Sequence, residues 1–194
     1  MEKFLTRKEN GFVNLDKSFA SMWEMFLICF IKQSLKPNVT KVKTSNIAKG
    51  FAKTIGNKGG VAYSFMLQNR MFNFIATHLR HGQKRQDERN EMASQLVQEM
   101  KMQQLQSTIV GLESDFLGDI NFFLGDVNYR LNTTYDYLNN DNVREQAISM
   151  ISTHDQLGIA RKEGNFALYE EAEITFLPSY KQKKDRLEYV NKKN

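Results

Sequence analysis

The chain has 194 residues, 41% of them hydrophobic and 25% charged, with a formal net charge of +5. That suffices for one domain with a real core, and a lone cysteine, Cys29, excludes an internal disulfide. Residues 181–194 hold six Lys/Arg and two Asp/Glu, a net +4, so residues 1–180 carry only +1, which argues against the broad basic face that duplex nucleic acid requires.

Residues 1–20 are mixed in character, and the start lacks the apolar core of a signal peptide. Residues 25–31 are almost continuously apolar, the pattern of a strand buried on both faces, and far too short to span a bilayer. Cys29, inside that run, reads as a small buried hydrophobe. A soluble cytoplasmic protein is expected. Pro37-Asn38 breaks the chain, and residues 39–48, with Val39, Val42 and Ile47 among lysines and threonines, read as a more exposed strand. Gly56-Asn57-Lys58-Gly59-Gly60 reads as a loop. Residues 61–67 and 71–79 are strand patterns, and Gln68-Asn69-Arg70 between them predicts a tight hairpin.

From residue 83 to 106 the period changes to helix, with Met92, Leu96, Val97, Met100 and Leu105 on one face and Asp87 and Glu88 near the start, where the helix dipole favours them. Residues 121–124 read as a short, buried, central strand. Helices follow over 142–151 and 155–163, with Gly164 as C-cap, and residues 174–177 form a last short strand before Pro178. Alternating strands and helices argue an α/β or α+β fold layered on a sheet.

The chemistry gathers at strand ends. The segment "NFFLGDVNYR" (121–130) runs from an apolar strand through Gly125 to Asp126 and Asn128. By itself a G-D-x-N is often only a turn, since Asp and Asn favour turns. His78 closes a second apolar strand just before a loop and a helix. If the two strands are parallel neighbours, His78, Asp126 and Asn128 converge on the rim where open α/β sheets bind ligands. His81 and His154 are not so placed and read as surface residues. In the glycine loop, backbone N–H groups and the charge of Lys58 could meet an anion, although such a loop is commonly only a turn and G-x-x-x-x-G-K-[ST] is absent.

Taken in order, "FLICFIKQSLKPNV", "IGNKGGVAYSF", "FNFIATHL", "ERN", "NFFLGDVNYRLN", "HDQLGIARKEGNF" and "AEITFLPSYK" resemble the catalytic domain of inositol polyphosphate 5-phosphatases over about residues 19–181, with 182–194 left as a basic tail. The resemblance implies a deoxyribonuclease-like fold, two packed sheets flanked by helices in a four-layer sandwich, here one single, incomplete domain across 1–194. It implies Mg²⁺-dependent removal of the 5-phosphate from inositol phosphates or phosphoinositides. Asp126 would orient or deprotonate the attacking water. His78 and Asn128 would hold phosphoryl oxygens, with Arg130 behind them. Asn57, Lys58, Tyr180 and Lys181 would contact substrate. Positioned donors and a metal are what phosphoryl transfer asks for.

Two departures qualify that expectation. The family's early strands carry an Asn and then a metal-binding Glu, and its later part carries R-x-P-[SA]-W-[CT]-D-R and S-D-H. This sequence contains neither, and Asp185-Arg186 reads as the loop after Lys181 rather than as the D-R pair. No metal ligand is therefore assigned with certainty, hydrolysis by this chain alone is expected to be very weak, and marginal stability or self-association is expected. The alternatives are a non-catalytic module that binds an anionic head group through Lys58, Lys181 and the basic tail, and, less favoured, a nuclease of the same fold. The expected partners are an inositol phosphate or phosphoinositide and a membrane surface, with no nucleic acid.

Overall fold

The computed structural model describes residues 11–15, 19–22, 25–47, 58–105, 118–133, 144–178, 180, 182–184 and 188–189. The chain forms two compact units, Met1–Leu79 with Glu91–Val127, and Arg80–Asn90 with Asn128–Asn194.

The first unit is built on a four-stranded sheet in the order β5 (Val39–Ile47), β6 (Gly59–Leu67), β7 (Arg70–His78), β8 (Ile120–Asp126). The first three strands are antiparallel, and β8 runs parallel to β7. Two small antiparallel pairs accompany it, β1 (Phe12–Asn14) with β4 (Phe30–Lys32) and β2 (Ala20–Met22) with β3 (Met25–Leu27). Gln68 and Asn69 join β6 to β7 with φ of 50° and 63°, the left-handed pair whose twist matches a two-residue hairpin. Side chains alternate along β6. Tyr63 and Phe65 pack with Leu15 and Ile31, and Val61 with Ala20 and Met22. Phe65 stacks on Phe72 at 5.3 Å, and Phe74 on Phe122 at 4.8 Å. Gly60 lies on the opposite face of β6, where a Cβ would stand 3.0 Å from Leu96. Leu96 belongs to helix α1 (Gln86–Leu105), whose buried residues include Met92, Ala93 and Met100. The helical period predicted that face.

Three expectations are corrected. Residues 25–31 are not one doubly buried strand. β3 pairs with β2 and β4 with β1, the chain changes partner across Ile28-Cys29, and Phe26 is 60% exposed; an apolar run does not reveal such a change. β8 is not a buried central strand among the described residues, because it ends the sheet order, with Phe122 45% and Leu124 38% exposed. Residues 174–177 form no strand, and Phe176 is exposed.

The second unit contains α2 (Arg144–His154) and α3 (Gln156–Lys162), close to the predicted helices. Asp155 separates them and caps α3, its Oδ2 accepting from the Gly158 N–H at 2.8 Å. Gly164, at φ +94°, follows α3 in the left-handed conformation expected of a C-cap. The chain from Arg130 to Asn132 is laid along the α2–α3 junction. Leu131 bridges Asp155, and the Asn132 N–H donates to His154 O at 2.8 Å. Among the described residues of the basic tail, Gln182 bridges Tyr189, whose hydroxyl donates to Pro178 O at 2.6 Å. No helix among the described residues is long and apolar enough to cross a membrane.

Candidate functional site

In the first unit the parallel register sets His78 directly beside Asp126, and the Leu79 N–H donating to Asp126 O at 2.9 Å extends the pairing past the strand end. Gly59 is the antiparallel partner of His78, which brings its neighbour Lys58 to the same end of the sheet. Lys58 is buried, and its Nζ meets His78 Nε2. The tautomer of the imidazole sets which partner Nε2 serves: it accepts from Lys58 when bare and donates to the Asp126 carboxylate when protonated. Asp126 Oδ2 stands 3.4 Å from the same Nε2, and its side chain is 61% exposed against 24% for His78. The carboxylate therefore faces solvent with an imidazole behind it. Gly125 makes this possible: it sits at φ +112°, and a Cβ there would lie 2.3 Å from Thr77 O.

In the second unit Asn128 adopts φ +55°, a left-handed conformation that asparagine tolerates better than most residues. Its Oδ1 accepts from Arg130 Nη2 at 2.9 Å. Behind Arg130 lies a buried polar cluster. Arg89 is fully buried, with Nη1 donating to Arg80 O and Gly82 O at 3.0 and 2.8 Å and Nη2 to Gln156 Oε1 at 2.5 Å. Its guanidinium lies 5.2 Å from the centre of the Tyr129 ring. The Tyr129 hydroxyl donates to Asn90 Oδ1 at 2.6 Å. Burial lowers the Arg89 pKa and raises that of Tyr129 to about 12.

The structure thus brings together His78, Asp126 and Lys58, and separately Asn128 with Arg130. Tyr180 is exposed. Asn57 and Lys181 lie outside the described residues. Arg89, Tyr129 and Gln156 were not expected from the sequence. One signal was present, because Arg89 precedes Met92 by three residues and Leu96 by seven, which places it on the apolar face of α1. Among the described residues no three His, Cys, Asp or Glu side chains gather as a metal cluster. Asp126 with a histidine already engaged by Lys58 does not amount to a magnesium site, which wants several oxygen ligands.

Residues 5–194 match Endonuclease/Exonuclease/phosphatase family 2. The chain is 29% identical to phosphatidylinositol 3,4,5-trisphosphate 5-phosphatase 1 of Rattus norvegicus, over 89% of this chain and 15% of that protein. It is 31% identical to type IV inositol polyphosphate 5-phosphatase 7 of Arabidopsis thaliana, over 81% of this chain and 27% of the relative. Among solved structures, the inositol polyphosphate 5-phosphatase domain of SPsynaptojanin, in complex with inositol (1,4)-bisphosphate and calcium ion, superposes with a TM-score of 0.73 at 26% identity, over 94% of this chain and 50% of that one. A Cimex nitrophorin in its ferrous NO complex shares the fold alone, with a TM-score of 0.67 at 22% identity, over 97% of this chain and 60% of that one. The chain therefore spans well under a third of the length of these curated relatives and half of the SPsynaptojanin domain. The expected deoxyribonuclease-like α/β fold is the one it adopts, and the chain belongs to the Endonuclease/Exonuclease/phosphatase family 2.

Proposed function

We propose that this chain carries part of the catalytic apparatus of a phosphatase that removes the 5-phosphate from inositol phosphates or phosphoinositides. The observation behind the proposal is the in-register pair His78–Asp126 at the carboxyl ends of two parallel strands, with Lys58 against the imidazole. In hydrolysis a water oxygen bonds to phosphorus, the ester P–O bond breaks, and the inositol oxygen leaves and takes a proton from solvent to become a hydroxyl. Asp126, a solvent-facing carboxylate, orients that water and accepts its proton. The resemblance gives His78 and Asn128 the role of donors to phosphoryl oxygens, and Lys58 adds positive charge beside His78. Tyr180, with Asn57 and Lys181, contacts the rest of the substrate.

Mg²⁺ is the cofactor we propose for the complete catalytic apparatus, where it would offset phosphoryl charge. No step here runs through it, because the described donors do not make its site. The proposed setting is the cytoplasm, with a membrane surface reached when the substrate is a lipid.

Fold does not decide activity, so the test is chemical. Release of inorganic phosphate from inositol 1,4,5-trisphosphate by the 194-residue chain should be slow and should depend on Asp126. Each missing charged stabiliser costs about 10²–10³ in rate. Release that Asp126→Asn leaves unchanged would overturn the assignment. The rival reading, head-group binding without turnover, is favoured by one feature: Lys58 engages the Nε2 of His78. Saturable binding of inositol 1,4,5-trisphosphate with no Asp126-dependent release would establish it instead.

A further inference from the structure

Glu88-Arg89-Asn90 and His154-Asp155-Gln156-Leu157 take no part in the chemistry just proposed, yet side chains from both meet inside the second unit. Gln156 is 2% exposed. Its Oε1 accepts from Arg89 Nη2 at 2.5 Å and from the Arg130 N–H at 3.0 Å. Its Nε2 donates to Gln83 O at 2.9 Å and to Asn132 Oδ1 at 2.7 Å. Its own backbone N–H donates to Arg130 O at 2.9 Å. Gln156 therefore holds both backbone polar groups of Arg130, while both ends of its carboxamide are used. A buried amide satisfied in this way has one orientation, since a flip would break all four side-chain bonds.

We infer that Gln156, braced by Arg89, is a positioning residue for Asn128, and that it sets that side chain's polarity. The chain of contacts is short. Gln156 fixes the Arg130 backbone, and Arg130 Nη2 donates to Asn128 Oδ1 at 2.9 Å. With its oxygen accepting from a guanidinium, the Asn128 carboxamide has its NH₂ group on the other side, and donors suit a phosphoryl oxygen whereas a carbonyl oxygen would repel it. Asn128 also sits at φ +55°, a conformation that persists only where its surroundings hold it. The inference rests on the phosphoryl-binding role proposed above for Asn128.

The test separates the two claims. In the full chain labelled with ¹⁵N-asparagine, the Asn128 side-chain amide is identified by its loss in Asn128→Asp. Without ligand it should be rigid, with an order parameter near about 0.85, and should fall below about 0.6 in Gln156→Leu. If Gln156→Leu does not fold, Gln156→Asn draws the same carboxamide back by one methylene and carries the same expectation. A folded Leu or Asn variant in which Asn128 stays rigid overturns the inference. Inositol 1,4-bisphosphate is then titrated. The Asn128 signal should move in the wild-type chain, with affinity about tenfold weaker in the Leu or Asn variant. A wild-type Asn128 signal that ignores the ligand overturns the phosphoryl role, while the ligand-free order parameters still decide whether Gln156 holds the side chain.

Discussion

The ends of β7 and β8 hold His78 and Asp126 through the parallel ladder itself, whereas the turn from Asn128 to Arg130 is held mainly through the side chains of Gln156 and Arg89. The two modes fail differently. A ladder is disrupted by backbone change and is largely indifferent to the polar side chains along it. A buried side-chain network is the reverse, because each lost partner leaves another polar group desolvated and unpaired. Substitutions chosen for one mode should therefore have little counterpart in the other.

The largest effect is expected at Gly125. Its φ of +112° and the 2.3 Å approach of a Cβ to Thr77 O mean that Gly125→Val must push β8 away from β7. Positive-φ strain and a backbone clash together should cost about 4 kcal/mol or more. Urea unfolding, or loss of the soluble folded chain altogether, checks this. A loss under about 1 kcal/mol would show that the β7–β8 ladder is not what places Asp126.

Next comes Arg89→Met, which removes a buried cation together with its bonds to Gln156, Arg80 O and Gly82 O. The orphaned acceptors are worth about 1–3 kcal/mol each, and relief of the cation's desolvation offsets part of that. A net loss of about 3 kcal/mol is expected by denaturant titration. The amide resonances of β7 and β8 should stay in place, and their displacement would contradict the separation of the two modes.

Alkali offers a third probe confined to the second unit. Burial raises Tyr129 and Tyr169 to about 12, above the ordinary value of 10. At pH 11 the unfolded chain has lost tyrosine protons that the folded chain keeps, so unfolding is favoured by rising pH. The stability these groups contribute is complete below about pH 10 and drains away between about pH 10 and 12. Tyr129→Phe with Tyr169→Phe should flatten that limb of the stability curve. An unchanged limb would mean that the two hydroxyls are not buried in solution.

What could be read in the sequence follows the same division. Strand ends, the Gln68-Asn69 hairpin and the helical face of α1 are local patterns, so His78 and Asp126 could each be placed at the end of an apolar run, while their standing side by side depended on the parallel pairing of β7 with β8. The break at Ile28-Cys29 could not, because one apolar run fits a single strand and two short ones equally well. Nor could the absent strand at 174–177, where Ile174, Phe176 and Leu177 match a pattern that packing does not use. Arg89 and Gln156 were hidden for a different reason. Their partners lie 67 residues apart in the chain, and neither composition nor period carries information about a hydrogen bond of that span. An arginine aligned with Met92 and Leu96 was the available hint, and it is weak because arginines on helices usually reach water.

The smallest expected effect sharpens the comparison most, since it asks whether side chains in the ladder region matter at all. Thr77 precedes His78, is 3% exposed, and donates through Oγ1 to Leu124 O at 3.2 Å. It is as buried as Gln156 and lies nearer in sequence to a proposed catalytic group. Yet its bond supplements a backbone pairing in which Ala76 faces Leu124, Thr77 faces Gly125 and His78 faces Asp126. Thr77→Val keeps the branched shape that suits a strand and removes one neutral hydrogen bond, worth about 1 kcal/mol. The loss should be no larger than that, and the Asp126 amide resonance should shift little. If Thr77→Val instead destabilised the chain as much as Arg89→Met, the first unit would depend on side-chain bonds as heavily as the second, and strand register would no longer account for how His78 and Asp126 come to stand together.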